Sequence, residues 1–154
     1  MTGNRLTTTV FLYTEKTYSD FVLKAEIRLR NGNSGIQFRS KVFPDWVVKG
    51  YQADASYAGE RSAWGNFYEE KGRGRNVMKT MDEGWQKAKD LLREGDWNEY
   101  EILVQGSRIR LMFNGRVTID TKDHESLSGV IGFQLHTGDP MKVEFRNIKL
   151  KPLR

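Results

Sequence analysis

Alternation of apolar and polar residues with a period of two constrains the fold of this chain more than any other feature. Between residues 21 and 29 an apolar residue stands at every second position, and mostly charged residues stand between them. This period is typical of strands that bury one face. The pattern recurs in segments near residues 36–38, 51–56, 100–104, 109–119, 131–135 and 143–150. It predicts an all-β, two-sheet antiparallel sandwich of the jelly-roll kind.

Two irregularities in the alternation predict local structure. Asn114-Gly115 stands between two alternating runs, and both residues tolerate the positive φ angles of a tight hairpin. The apolar phase shifts between Phe145 and Ile148, which predicts a bulge near Arg146 and Asn147.

One segment has helical rather than strand periodicity. Trp85, Ala88, Leu91 and Leu92 fall on a single helical face. Residues 80–83, Thr-Met-Asp-Glu, resemble a capping box, and Gly95 stands where a left-handed residue ends a helix. We expect one short helix near residues 83–94, lying across an edge or end of the sandwich.

Composition limits the class of protein further. A chain of 154 residues without cysteine is expected to form a single domain, residues 1–154, with no disulfide, no thiolate metal site and no cysteine nucleophile. No apolar run approaches the length of a membrane helix, so we expect no membrane partner. The net charge is +5, but acidic residues interrupt and flank the basic stretch at 71–93. A phosphate-binding face needs a sustained patch of one sign, which argues against nucleic acid.

Three predicted strands carry polar residues opposite their apolar faces. These polar residues are Gln37, Arg39, Gln52, Asp54, Gln134 and His136. If the apolar neighbours form the core, all six project from the outer side of the strands. Amides, carboxylates and aromatic rings together favour a sugar ligand, and Trp64, Tyr68 and Glu69 are candidates to line the same groove.

Each of these residues also has a purely structural interpretation. Arg39 and Asp54 could form an ordinary cross-strand ion pair, and Gln52 and Gln134 could be solvated strand positions. His136 could bond only a turn carbonyl. Among the other aromatic residues, we expect Trp97 in the core and Trp46 at the rim of the groove.

Several segments, taken in order, resemble one known family. They are Tyr18-Ser-Asp-Phe at the start of the first long strand, Asn33-Ser-Gly-Ile-Gln-Phe-Arg, Gly50-Tyr-Gln-Ala-Asp, Trp64-Gly-Asn-Phe-Tyr, Gly95-Asp-Trp-Asn-Glu-Tyr-Glu, Phe113-Asn-Gly, Gly132-Phe-Gln-Leu-His and Val143-Glu-Phe-Arg-Asn-Ile. Over about residues 17–151 the chain is similar to the 3-keto-disaccharide hydrolase domain family, which has a concanavalin A-like lectin/glucanase sandwich.

The resemblance implies several further properties. The family's sugar site lies on the concave side of the larger sheet, and its members are usually exported by bacteria, so a periplasmic or secreted protein is expected. Family members typically begin with strands that pair with the last ones. Residues 4–14 are expected to supply at most one strand, so the chain could lack part of this N-terminal region.

The resemblance also implies a particular chemistry on a small-molecule or oligosaccharide substrate. A ketone at C3 of a sugar acidifies the C2 proton, so a base can start an elimination that breaks the glycosidic bond before water adds. His136 or Asp54 is the expected base, Arg39 the partner of the enolate oxygen, and Gln52 or Tyr68 the group that orients the sugar. Contacts from Gln37, Trp64, Glu69 and Gln134 would complete the substrate site.

Four alternatives remain open. A divalent metal held by Asp54, Glu69 and His136 could replace Arg39 as the electrophile, although no spacing motif supports a metal. The same face could belong to a carbohydrate-binding module without catalysis, or the basic stretch could serve a structural or interaction protein. Ordinary hydrolysis by two carboxylates, Asp54 with Glu69 or Glu70, is only weakly supported. Sugar identity and oligomeric state are also open.

Overall fold

Two antiparallel sheets and one short helix make up a computed structural model that describes residues 1–58, 62–74 and 82–154. The strands are β1 (Thr2–Gly3), β2 (Val10–Tyr13), β3 (Phe21–Leu29), β4 (Asn33–Val42), β5 (Val48–Ser56), β6 (Phe67–Glu70), β7 (Asn98–Gln105), β8 (Arg108–Phe113), β9 (Arg116–Lys122), β10 (Val130–Leu135) and β11 (Met141–Pro152). A six-stranded sheet has the order β1-β11-β3-β7-β8-β9, and a five-stranded sheet has the order β2-β10-β4-β5-β6. The predicted sandwich is confirmed.

The core lies between the two sheets, where the apolar residues of the alternating pattern meet. Alternate residues of β3 from Phe21 to Leu29 are buried, as are Ile36 and Phe38 of β4 on the opposite sheet. Burying each large apolar side chain contributes about 1.5–3 kcal/mol. The hydrophobic core therefore fixes which face of each strand points outward.

Both predicted irregularities are present. Asn114 and Gly115 have positive φ angles of 45° and 86° and join β8 to β9 as a hairpin. The register between β11 and β3 shifts between Arg146 and Lys149, where Asn147 has φ of 52°. The bulge lets both ends of β11 remain paired with β3 although the apolar phase changes between them.

The helix α1 (Glu83–Ala88) is shorter than the sequence predicts. The buried side chain of Asn98 bonds both the backbone N–H and the carbonyl of Arg93, which holds the chain after α1 in turns. The capping-box residues 80 and 81 lie outside the described residues. Within the described ranges no helical segment is long and apolar enough to cross a membrane.

The first two strands pair with the last two. β1 pairs with β11 and β2 pairs with β10, so each sheet receives one strand from the first 13 residues. Between β1 and β2, Leu6 forms an isolated β-bridge to Gly138. Residues 7–9, which follow this bridge, lie along the outer side of the five-stranded sheet.

Candidate functional site

The outer face of the five-stranded sheet carries most of the polar side chains predicted to bind a ligand. Gln37 in β4 pairs with Gln52 in β5, and Gln52 pairs with Tyr68 in β6. Because side chains of one face recur every second residue, Asp54 and Glu70 lie on the same side as Gln52 and Tyr68. We call the following set the polar face: Gln37, Gln52, Asp54, Tyr68, Glu70 and Gln134.

A directed chain of hydrogen bonds connects the amides of the polar face. Gln37 Nε2 donates to Gln52 Oε1 at 2.8 Å. Gln52 Nε2 donates to Asp54 Oδ1 at 3.0 Å and to Gln134 Oε1 at 3.5 Å. Gln134 Nε2 then donates to Glu70 Oε2 at 3.4 Å. Each carboxamide is held in one orientation, and the chain ends on two carboxylates.

The contact between Gln134 and Glu70 shows that the sheet bends toward its outer side. Their strands, β10 and β6, are separated by β4 and β5. Three strand spacings amount to about 14 Å on a flat sheet, too far for an ordinary side-chain hydrogen bond between facing residues. Gln37, Gln52 and Gln134 are at most 2% exposed although they face away from the core.

Gly35 leaves the space in which Gln52 lies. A Cβ at residue 35 would stand 2.6 Å from Gln52 Cδ, which is shorter than any real contact of this kind. The carboxamide of Gln52 can therefore cross β4 toward Gln134 only because residue 35 has no side chain.

Glu70 is a partly buried carboxyl group at the end of the amide chain. Burial raises the pKa of Glu70 above its ordinary value, and Lys71, His136 and the bond from Gln134 act in the opposite direction. Glu70 and Lys71 line a cavity of about 240 Å³, here called the Glu70 cavity. Its other walls are Thr7, Thr8, Thr9, Phe11, Asp45, Val47, Val48 and Thr137. A carboxyl group with a raised pKa in a cleft is typical of a functional site.

The sequence prediction chose Glu69 instead of Glu70. In a strand Tyr68 and Glu70 share a face and Glu69 points the other way, so the alternation rule contained the signal. Glu69 is buried on the side of the core, where it bonds Arg73. Arg73 also binds Asp123, to which the hydroxyl of Tyr51 donates. The prediction that Glu69 lines the groove is wrong.

Asp54 is held through its side chain and through its backbone. Its carboxylate accepts bonds from Gln52 and from the backbone N–H of Ala55. Beneath it, the fully buried Tyr100 donates its hydroxyl proton to the carbonyl of Asp54 and accepts a bond from the N–H of Gly65. The six-stranded sheet thus fixes a residue of the polar face through one hydroxyl.

Arg39 does not belong to the polar face. A register shift between Phe38 and Lys41 and a φ of 48° at Arg39 reverse the alternation of β4. The guanidinium, 0% exposed, donates to the carbonyls of Ser19 and Gly106 and to the carboxylate of Asp20, all next to strands of the other sheet. The expectation that Arg39 shares a hollow with Asp54 is therefore wrong.

Two tryptophans also differ from the predictions. Trp64 is fully buried against Tyr57 and Phe113, so it cannot line a groove. Trp97, expected in the core, is partly exposed, and the guanidinium carbons of Arg28 and Arg146 lie 4.5 and 4.0 Å from the centre of its ring. The side chain of Trp46 is not among those that the structure describes. Its neighbours in the chain, Asp45 and Val47, line the Glu70 cavity.

His136 follows the end of β10 and lines a different cavity from Glu70. Its Nδ1 is 2.7 Å from the carbonyl of Thr137, and since a carbonyl only accepts, Nδ1 carries the proton of this hydrogen bond. This second cavity, of about 470 Å³, is called the His136 cavity. Of the three residues expected to meet in one hollow, Asp54 lies on the polar face, His136 lies beyond it, and Arg39 lies elsewhere.

The residues proposed to hold a divalent metal do not come together. Asp54 and Glu69 lie on opposite faces of the five-stranded sheet, so they cannot bind one ion with His136. Across the described ranges, no group of three or more His, Cys, Asp or Glu side chains is arranged to hold a metal. No step of the chemistry below depends on one.

Solved structures with the same fold come from several proteins. The carbohydrate-binding module CBM66 from Bacillus subtilis matches with 14% identity and a TM-score of 0.56, covering 96% of this chain and 84% of the module. A "putative glycosyl hydrolase" from Parabacteroides distasonis matches with 15% identity and a TM-score of 0.64, covering 99% and 80%. A Bacillus subtilis protein with a galectin-like fold matches with 13% identity and a TM-score of 0.64, covering 96% and 78%.

At these identities the likeness shows the fold alone. In this chain the polar face lies on the smaller, five-stranded sheet, and not on the larger sheet where the resemblance places the sugar site. No curated protein sequence matches the chain at a significant level. The model of one family does match, over residues 2–151. The chain therefore belongs to the 3-keto-alpha-glucoside-1,2-lyase-like domain family, a family of carbohydrate-related β-sandwiches, as its sequence motifs indicate.

Proposed function

We propose that the polar face binds a 3-keto-glycoside and that Glu70 starts the cleavage of its glycosidic bond. The observation that carries the proposal is the carboxyl group of Glu70, whose pKa is raised by burial, beside Lys71 in a cavity that borders the amide chain. A base with a raised pKa is better matched to proton transfer near neutral pH than an ordinary glutamate. The family's own description concerns a 3-keto-glucoside and agrees with this chemistry.

The proposed reaction begins at C2 of the keto sugar. The ionised carboxylate of Glu70 removes the C2 proton, and the electron pair of that C–H bond forms the enolate of the C3 ketone. The C1–O bond then breaks as the enolate collapses to an unsaturated ketone, and the leaving oxygen takes a proton from water. Addition of water across the new double bond completes hydrolysis, whereas release of the unsaturated ketone makes the protein a lyase.

The surrounding side chains would hold the sugar and its developing charge. Lys71 lines the same cavity as Glu70, so its ammonium group can stabilise the enolate oxygen electrostatically. Gln52 already donates both of its amide N–H groups, to Asp54 and Gln134, and so holds the chain in place. Gln37 and Gln134 each donate one N–H group within the chain, and the other can donate to a sugar hydroxyl. Because their orientations are set before the ligand arrives, little side-chain entropy is lost on binding.

The test is release of the aglycone from p-nitrophenyl 3-keto-α-glucoside by the wild type and by Glu70→Gln. Glutamine keeps the bond from Gln134 but cannot remove a proton, so we expect turnover to fall by roughly 10²- to 10⁴-fold. Glu15→Gln, at an exposed position in the loop after β2, is the matched control and should leave the rate unchanged. Equal rates for wild type and Glu70→Gln would refute the role of Glu70.

A second candidate function is a carbohydrate-binding module without catalysis. The observation in its favour is that three amides occupy the centre of the polar face, because amides bind hydroxyl groups but neither take nor give protons in catalysis. The two functions separate in one experiment. If the wild type binds the keto-glucoside in calorimetry and releases no aglycone above the buffer rate, the binding module is the correct function.

A further inference from the structure

Basic side chains from four strands meet on the outer face of the six-stranded sheet. In β3 and β8 they stand at positions that alternate with buried core residues, so they point outward. In β9 and β11 they stand directly opposite outward residues of β8 and β3. We call the following set the basic strip: Lys24, Arg108, Arg110, Lys122, Lys149 and Lys151. No single stretch of the sequence reveals the strip, because its members come from separate strands.

The basic strip has a large excess of positive charge. Two carboxylates, Glu101 and Asp120, bind basic groups of the strip, and six basic groups against these two leave a net charge of +4. The whole chain has a net charge of +5. Lys122, Lys149 and Lys151 are exposed and form no ion pair with any residue that the structure describes. A partner of opposite charge is therefore expected at this face.

Asp120 holds the two arginines of the strip in fixed positions. Its carboxylate accepts bonds of 2.8 to 3.0 Å from Nε and Nη2 of both Arg108 and Arg110. These bonds lower the pKa of Asp120 to about 2, so the carboxylate stays ionised. The opposite edge of each guanidinium, with Nη1, remains for a ligand. Because a planar guanidinium can bind a carboxylate through two N–H groups, these edges favour a ligand that carries carboxylates.

The shape of the strip fits a linear chain of sugars. The strip crosses the five strands from β11 to β9, a distance of about 19 Å. In its middle Val22 and Leu103 pair across β3 and β7 and form a partly exposed apolar floor. A polyuronate matches both features, because its carboxylates recur along the chain and the C–H faces of its rings are apolar.

Two other polyanions fit this face less well. Glu26 and Glu99 pair directly beside the strip and would repel the phosphates of a duplex nucleic acid, which is wider than a single polysaccharide chain. A flat sheet also offers no helix to enter a groove. An anionic membrane favours apolar side chains that protrude, whereas Val22 and Leu103 are shorter than the basic side chains around them.

We infer that the basic strip binds a linear acidic polysaccharide of the polyuronate class, whose carboxylates contact its arginines and lysines. The strip and the polar face lie on the outer sides of the two sheets, with the core between them. Both surfaces can therefore be occupied at once. The inference does not depend on Glu70 or on the proposed reaction, and it gives the protein a second site that takes a ligand of different chemistry.

Calorimetry at low salt with polygalacturonate and with its methyl ester tests this inference. The two ligands share one backbone, and only the first is charged. The wild type should bind polygalacturonate, should lose affinity as salt is added, and should not bind the methyl ester. The double variant Lys149→Gln with Lys151→Gln should bind polygalacturonate roughly tenfold more weakly, as expected when charge-assisted hydrogen bonds are lost.

The matched control is the double variant Lys41→Gln with Lys49→Gln, which removes two charges from a cross-strand pair of the five-stranded sheet. It should bind polygalacturonate like the wild type. Equal weakening by both double variants would show that only net charge matters and would refute the strip as the site. The inference is also wrong if the wild type does not bind polygalacturonate or binds the methyl ester equally well. Tighter binding of duplex DNA or of phosphatidylserine vesicles would identify a different polyanion and overturn it as well.

Discussion

Gln134 in β10 donates a hydrogen bond to Glu70 in β6 at 3.4 Å, across the two strands that separate them. This bond closes the amide chain that begins at Gln37 and places a carboxyl group of raised pKa at its end. The positions of the side chains on the polar face therefore depend on the curvature of the five-stranded sheet as well as on which residues face outward. Mutations that disturb the curvature or the chain of amide hydrogen bonds should weaken ligand binding more than they lower the free energy of unfolding.

The raised pKa of Glu70 makes a prediction about stability. Between the ordinary value of 4.5 and the raised folded value, the folded protein keeps a proton that the unfolded chain has lost. The stability that Glu70 contributes is therefore fully present below pH 4.5 and is lost as the pH rises through the folded pKa. In Glu70→Gln this loss is absent, so the variant should gain stability relative to the wild type as the pH rises.

Urea unfolding of both proteins at a series of pH values from 4 to 8 measures this difference. A free-energy difference between Glu70→Gln and wild type that does not change with pH would show that the folded state does not perturb Glu70.

Gly35→Ala should weaken saccharide binding without unfolding the protein. The added methyl group would stand 2.6 Å from Gln52 Cδ, so the carboxamide must leave its position in the chain. Gly132→Ala is the matched control on the same face, because its methyl group would meet Gln37 Cβ at an ordinary 3.5 Å. Calorimetry should show weaker binding for Gly35→Ala and nearly normal binding for Gly132→Ala. Equal affinities of the two variants would count against the role of the Gln52 orientation.

Arg39 should prove to be a stabilising residue. Arg39→Met leaves the carbonyls of Ser19 and Gly106 without their donor, so we expect a loss of about 3 kcal/mol in the free energy of unfolding. Arg108→Met removes an exposed, solvent-screened ion pair with Asp120 and should lower the free energy of unfolding far less than Arg39→Met does. At a temperature where Arg39→Met is folded, its saccharide affinity should match the wild type. A stable Arg39→Met protein that no longer binds the saccharide would show that Arg39 belongs to the ligand site.

The cluster around Asp123 should control stability in acid. Burial alone would raise the pKa of Asp123, but hydrogen bonds from Arg73 and Tyr51 lower it to about 2. Its contribution to stability is therefore present above pH 3.8 and disappears as the pH falls toward 2. Chemical unfolding at pH 7, 4 and 2 should show Asp123→Asn less stable than the wild type at pH 7 and nearly equal to it at pH 2. A difference that persists at pH 2 would mean that packing, and not charge, is what Asp123 provides.

Most of the fold was predictable from the sequence because strand periodicity and turn chemistry are local properties. The hairpin at Asn114-Gly115 and the bulge near Asn147 follow from a few neighbouring residues. The prediction failed at Arg39, because the bulge in β4 uses a positive φ at an arginine and no glycine marks it in the sequence. One extra residue in a strand reverses the direction of the side chains that follow it.

The candidate site was predicted in part for a similar reason. Alternation brought Gln37, Gln52, Asp54 and Gln134 to one face, which the structure confirms geometrically. The bond from Gln134 to Glu70 depends on the curvature of the whole sheet, which no short segment encodes. Trp64 was expected to line the groove and is buried, whereas Trp97 was expected in the core and is partly exposed. The positions of both depend on the loops next to the sheets and not on strand alternation.

The most direct measurement is NMR mapping of the glutamine side-chain amide signals during titration with 3-keto-maltose. If the polar face is the carbohydrate site, the Nε2–H signals of Gln37, Gln52 and Gln134 will shift with a common saturation curve, and the indole N–H of Trp97 will not move. Shifts confined to Trp97 and its neighbours, with the three glutamines unchanged, would locate the ligand on the six-stranded sheet and contradict the proposed site.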